Sequence, residues 1–330
     1  MSHSTGRRRR RIVALAAAIA LAAPLAACAN NESNDGGAPE TGAPAAAGSQ
    51  IVIGLAVPNQ QSPFFVAIRQ WVEEEAKAED VRIVFADAKN DADTQVSQIQ
   101  DFITQEVDAI IYIPAGATAA TVPVRAAKDA GIPIVTVDRN PDGEPGDTFI
   151  ATDSVAAAKT LAEWLVEKTG GEGNLGVIQG QIGTTPESAR DEGFKAGLEG
   201  SAIVEIARQA SEAWLQDEGY DIATDMLQAH PEINIIFGRA DGLALGAAQA
   251  ARNAGYDVLV VGFDGDPSGL TAVADGQLAA TVCQQTTLMG KLAVQSALKL
   301  IAGEDVPAEQ LQEGILTTTD NVQEFITTHP

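Results

Sequence analysis

The segment Gly262-Phe-Asp-Gly-Asp-Pro-Ser-Gly269, preceded by the apolar run Val258-Leu-Val-Val261, decides how the whole chain is read. A short unbroken apolar run bounded by a glycine and a carboxylate reads as a strand buried on both faces, as in a parallel sheet. Open parallel sheets take their ligands in the crevice beyond the carboxyl ends of the strands. Asp264 stands at such an end. Asp266-Pro267 then supplies an N-cap residue and a proline suited to the first helical turn, so Asp264 is expected to point into a crevice. A second strand end has the same character, because Ile132-Pro-Ile-Val-Thr-Val137 runs into Asp138-Arg139. Each half of the chain therefore carries one acid-bearing strand end.

Outward from these two points, apolar runs of strand length alternate with segments of helical period. Strands are expected at 51–57, 81–86, 109–113 and 132–137, with helices at 63–77, 94–105 and 118–130. After Asp153 the rhythm restarts. Helices are expected up to Lys168 and at 186–199, 214–229 and 243–253, with strands at 174–178, 203–206, 233–237 and 258–261. This is a βαβ series, which builds parallel sheets with right-handed crossovers, one sheet per lobe. Residues 279–330 supply a short strand, a helix over 286–301 and a strand over 314–319, pieces suited to crossing back between lobes.

The start of the chain reads as an export signal. Five arginines, Arg7 to Arg11, precede an apolar run over 12–23 that is short and alanine-rich for a membrane span. It ends in Leu25-Ala-Ala-Cys28, the bacterial lipobox pattern, in which the cysteine is lipidated. An ordinary signal with an incidental cysteine is the plain alternative; the chain holds only two cysteines, which favours Cys28 as an anchor on the extracytoplasmic face of the cell membrane. Residues 28–49 are rich in Gly, Ala, Pro and Asn without apolar period, and read as a flexible tether.

Charge and composition exclude several classes. Loss of five arginines and no acid takes the net charge from −24 to near −29, so nucleic acid is not an expected partner. A lipidated Cys28 leaves Cys283 without a mate in the chain, so the fold is expected to stand without a disulfide. His3 leaves with the signal, and His230 and His329 stand apart, so neither a metal cluster nor a Ser-His-Asp triad has its parts. GxxxxGK[ST] is absent, as is a GxGxxG after the first strand. No cofactor and no enzymatic activity are expected.

Aromatics, amides and charges at strand ends remain. In Ser62-Pro-Phe-Phe65, Ser62 is placed to cap a helix, and two adjacent phenylalanines point in different directions, so at most one is expected to serve the core while the other faces the crevice. Sugars stack C–H faces on aromatic rings, and their hydroxyls need charged or amide partners that accept and donate. Carboxylates and arginine beside aromatic walls fit that chemistry.

These residues carry a resemblance to the type I periplasmic binding proteins of the ribose and related-sugar group, the solute-binding lipoproteins of ABC importers. It spans 51–324 and includes Ser62-Pro-Phe-Phe65, Val137-Asp-Arg139, Ala151-Thr-Asp153, Ala189-Arg-Asp-Glu-Gly-Phe194, Val260-Val-Gly-Phe-Asp-Gly265 and Gly276-Gln-Leu-Ala-Ala-Thr281. The resemblance implies an α/β fold of two doubly wound parallel-sheet lobes joined by a multi-strand hinge. The implied boundaries are a signal at 1–27, a lipidated tether at 28–49, a first lobe at 50–152 plus 285–313, and a second lobe at 153–284 plus 314–330.

Matching motif by motif, the resemblance places Ser62, Phe64, Phe65, Asp138, Arg139, Arg190, Trp214, Asp264 and Gln284 around a ligand. Without it, Asp138 and Arg139 could simply pair with each other, Arg190 would be a solvated helix charge, and Trp214 an ordinary half-buried tryptophan. Two positions depart from the ribose pattern, which has asparagine at Ser62 and at Ala240 in Gly238-Arg-Ala-Asp241. Unless water or Arg239 replaces the missing amide, a hexose, another pentose or a cyclic polyol is as well suited as ribose. The implied protein is a monomer that closes its hinge on a monosaccharide or cyclic polyol and delivers it to ABC permease subunits. A sensor subunit presenting the same kind of ligand to a membrane receptor is the alternative.

Overall fold

The computed structural model describes residues 50–329; the expected signal at 1–27, the tether and the anchor residue Cys28 lie outside the described residues. The first apolar runs form β1 (Val52–Val57), β2 (Arg82–Asp87), β3 (Ala109–Tyr112) and β4 (Ile134–Val137), separated by α1 (Pro63–Ala78), α2 (Ala92–Thr104) and α3 (Thr121–Asp129). After β5 (Thr148–Thr152) come α4 (Ser154–Thr169), β6 (Glu172–Gln179), α5 (Thr185–Leu198), β7 (Ala202–Ala210), α6 (Gln216–Ala229), β8 (Ile235–Gly238) and α7 (Asp241–Ala254). The chain continues through β9 (Leu259–Val261), α8 (Pro267–Ala274), β10 (Thr281–Cys283), α9 (Thr286–Ile301), β11 (Glu309–Gln312), β12 (Ile315–Thr317) and α10 (Val322–Thr327).

The strands form two parallel sheets, ordered β11-β5-β4-β3-β1-β2 and β7-β6-β8-β9. Single parallel bridges, Val261 to Ala280 and Asp264 to Cys283, lay β10 against the end of β9, and β12 pairs antiparallel with β10. Helices cover both faces of each sheet, as a doubly wound fold requires. On the first sheet α1 packs with α9, and α2 with α3; on the second, α4 packs with α5, and α6 with α7. Four buried clusters fill these layers, one under each helix pair, with Ile53, Ile68 and Met289 in one and Phe194, Phe237 and Phe263 in another. The α/β class with two parallel-sheet lobes agrees with the expectation.

Two strands escape the periodicity. β5, Thr-Phe-Ile-Ala-Thr, is short and follows a turn-rich loop; β11, Glu-Gln-Leu-Gln, is a polar edge strand with its neighbour on one side only. Three connections run between the sheets: β5 into α4, β10 into α9, and β11 into β12. They are tied together where Asp153 N–H donates to Gln312 O at 2.7 Å and Gln285 Nε2 to Glu313 O at 3.0 Å. Across the cleft the lobes touch, with Asn140 N–H donating to Thr185 Oγ1 at 2.9 Å.

Candidate functional site

The carboxyl ends of both sheets converge on one small cavity, lined by Ser62, Phe64, Phe65, Asp138, Arg139, Pro186, Arg190, Trp214, Ala240 and Asp264. The loops after β1 and β4 and the first turn of α1 supply the first-lobe wall; the N-terminal half of α5 and loops after β7, β8 and β9 supply the other. Three of these residues, Asp138 (φ 61°), Trp214 (φ 65°) and Asp264 (φ 135°), hold backbone conformations that L-residues rarely adopt. Such geometry persists only where surrounding contacts impose it, and it concentrates at binding sites.

Phe64 and Phe65 meet edge to face at 5.5 Å and are only 5% and 4% exposed. Both serve the core and the cavity wall together, contrary to the expectation that at most one would. Ser62 sits at the N-cap of α1 but makes no side-chain cap bond. Asn59 shapes the turn ahead of the helix, its Oδ1 accepting from the N–H groups of Gln61 and Ser62 at 2.8 Å each, and Ser62 lines the cavity.

Asp138 and Arg139 do pair, with Nε 3.5 Å from Oδ2, and both also line the cavity. Arg139 Nη1 donates to Pro114 O at 2.9 Å, and its guanidinium lies 5.3 Å from the Phe65 ring and 5.7 Å from Trp214. Arg190 is no surface charge. It is 2% exposed, lies 3.4 Å from Asp264 Oδ1, stacks 3.9 Å over Phe263 and donates to the carbonyl of Arg239. Gln284 stands behind the lining rather than on it: Nε2 donates to Asp264 Oδ1 at 2.8 Å, and Oε1 accepts from Thr152 Oγ1 at 2.7 Å. It thus ties Asp264 to the hinge.

Burial pushes the Asp264 carboxyl up to about 7, with Asp266 and Asp138 adding to the rise and Arg190 opposing it. Burial also raises Asp138, against the pull of Arg139 and Arg190. Three buried donors beside these acids, Nε of Arg139, Nε of Arg190 and Nε1 of Trp214, have no hydrogen-bond partner. Paired acceptors and unspent donors between aromatic walls suit a neutral ligand that both donates and accepts.

Several supporting residues were not foreseen. Asp241, fully buried, accepts from the N–H of Gly265 (2.8 Å) and Asp266 (3.0 Å) and from the Thr281 hydroxyl (2.6 Å), which pins the turn holding Asp264. A side chain at Gly262 or Gly269 would collide with that carboxylate, which is why the deciding segment is glycine-rich. Glu218 accepts from the N–H groups of Glu212 (2.9 Å) and Leu215 (3.2 Å), shaping the loop that presents Trp214 ahead of α6 rather than at its start. The sequence carried no capping-box signal for it, because Leu215 at the N-cap has no side-chain oxygen to complete the motif. Arg239 does not stand in for an amide at position 240. Its guanidinium turns away to Glu187 and Asp191, so Ala240 presents only a methyl group to the cavity.

Two parallel-sheet lobes, a three-connection hinge and a polar cleft at the strand ends define a solute-binding protein. The family described as periplasmic binding protein domain matches residues 53–305, and the chain belongs to it, in the type I, sugar-binding branch. Its relatives include the ribose import binding protein of Bacillus subtilis, 33% identical over 78% of this chain and 84% of that protein. A solute-binding protein of Bacillus halodurans with bound myo-inositol superposes with a TM-score of 0.79 at 30% identity, covering 84% of this chain and 98% of that one. One from Actinobacillus succinogenes with bound D-allose gives 0.78 at 28% identity, covering 83% and 100%. These relatives are transport binding proteins and not enzymes.

Proposed function

We propose that this chain is the lipid-anchored extracytoplasmic binding protein of an ABC importer, capturing one monosaccharide or cyclic polyol between its lobes and passing it to the permease as a monomer. The observation that carries the reading is the pairing of buried acceptors, Asp138 and Asp264, with the unpartnered donors of Arg139, Arg190 and Trp214 around one small cavity. A vicinal polyol satisfies both sets at once. Ligand contacts from both lobes favour the closed state by differential affinity, which is what drives hinge closure.

The methyl group of Ala240 offers no partner to a hydroxyl at that wall. A buried hydroxyl left unpaired costs about 1–3 kcal/mol, which disfavours ribose relative to a hexose, another pentose or an inositol. The relatives that bind myo-inositol and D-allose support that range. Anchoring rests on Cys28 and its lipobox.

A thermal-shift screen of the mature chain, stripped of carried-over ligand by unfolding and refolding, tests the reading. Pentoses, hexoses, inositols and short peptides are compared. A true ligand raises the melting temperature as its concentration exceeds its Kd. A shift with a peptide and with no sugar or polyol would overturn the ligand class.

A further inference from the structure

On the other side of Arg139 a second, larger chamber, open to solvent at its rim, lies between the lobes. Its first-lobe wall includes Thr118 in the loop after β3, with Asn140 and Asp142 after β4; Thr184 and Thr185 face them from the second lobe. Arg139 lines both chambers. It is 5% exposed, and its Nε has no hydrogen-bond partner. The bond from Asn140 to Thr185 and the approach of Gly183 to Ala117 bring the lobes together at this rim.

The two chambers differ in chemistry. The first has three aromatic residues, Phe64, Phe65 and Trp214, on its lining. The second is larger and has no aromatic residue on its lining; beside Arg139 it offers hydroxyls, an amide, a carboxylate, small side chains and prolines. That suits a flexible hydroxylated chain better than a second stacked ring. An anionic group finds no spare cation there, because Arg139 is paired with Asp138 and Asp142 adds negative charge.

We propose that the preferred ligand is a glycoside, with its ring in the first chamber and a neutral, glycerol-like polyol substituent passing Arg139 into the second. This rests on the sugar or polyol reading above. The test is titration calorimetry on matched pairs: D-galactose and galactosylglycerol, D-glucose and glucosylglycerol. At least one glycoside is expected to bind about tenfold more tightly than its parent ring, the gain of one or two further hydrogen bonds. Thr118→Trp and, separately, Asp142→Trp fill the second chamber from exposed positions; each is expected to erase the gain, leaving parent affinity and melting temperature unchanged. A parent ring that binds with no glycoside gain, or a gain that survives both substitutions, overturns this inference alone. Binding of no ring and no glycoside overturns the sugar reading with it.

Discussion

The carboxylate of Asp241 holds the turn of Asp264 from behind, accepting the N–H of Gly265 at 2.8 Å while the Asp264 side chain faces the cavity on the other side. Asp264 sits at φ 135°, so its direction depends on that support. Asp241→Ala is expected to weaken sugar binding about tenfold, and Asp241→Asn, which can still accept from both N–H groups, to restore most of it. The decisive comparison is calorimetry in an Asp264→Ala background. There Asp241→Ala has nothing left to position and changes affinity little; additive losses would mean that Asp241 acts independently of Asp264.

Asp264→Ala and Asp138→Ala each remove a charged acceptor from opposite lobes. Each is expected to weaken binding of the screened ligand by at least about tenfold with the fold retained. Circular dichroism and calorimetry check both halves of the statement, and unchanged affinity in both variants would sink the site assignment.

Affinity should depend on pH through Asp264. Hydroxyl donors favour its ionised form, yet burial raises its carboxyl to about 7. Binding below that value must expel a proton, so affinity is expected to fall as pH drops from about 8 to about 5, with a slope approaching one proton per ligand. The contribution to folding has the opposite sign. A carboxyl raised in the folded state adds stability that is fully present below its unfolded value near 4 and is lost as pH rises through about 7. Calorimetry across this range with Asp264→Asn, expected to flatten the affinity profile, checks the assignment.

Arg239 is expected to matter for stability more than for recognition. It is 1% exposed, with its guanidinium held by Glu187 and Asp191. Arg239→Met strands the buried Glu187 carboxylate and is expected to cost about 3–5 kcal/mol, whereas pairing it with Glu187→Gln recovers much of the loss. Urea denaturation of the single and double variants measures both.

Cys28→Ala is expected to shift the exported protein from the membrane fraction to the soluble one without altering its ligand affinity, since every residue assigned to the ligand lies between Ser62 and Gln284. Unchanged membrane association would remove Cys28 as the anchor.

Local chemistry made much of this protein legible. Apolar runs of strand length, the N-cap at Asp266 and the acids at the ends of β4 and β9 are written within a few residues of one another, and period and capping act over that range. They sufficed for the α/β class, the two-lobed rhythm and the expectation that Asp264 and Asp138 face a crevice. β5 and β11 were not legible, because a short or polar strand is stabilised by its neighbour in the sheet rather than by its own pattern. The same holds for the supports of the site. Asp241 meets the turn 24 residues ahead of it, Arg239 meets Glu187 52 residues back, and Gln284 meets Thr152 132 residues back. Sequence determined which chemistry was available at the strand ends; only the tertiary structure decided which charges face the cavity and which are used to hold it, because burial and pairing are properties of distance in space and not along the chain.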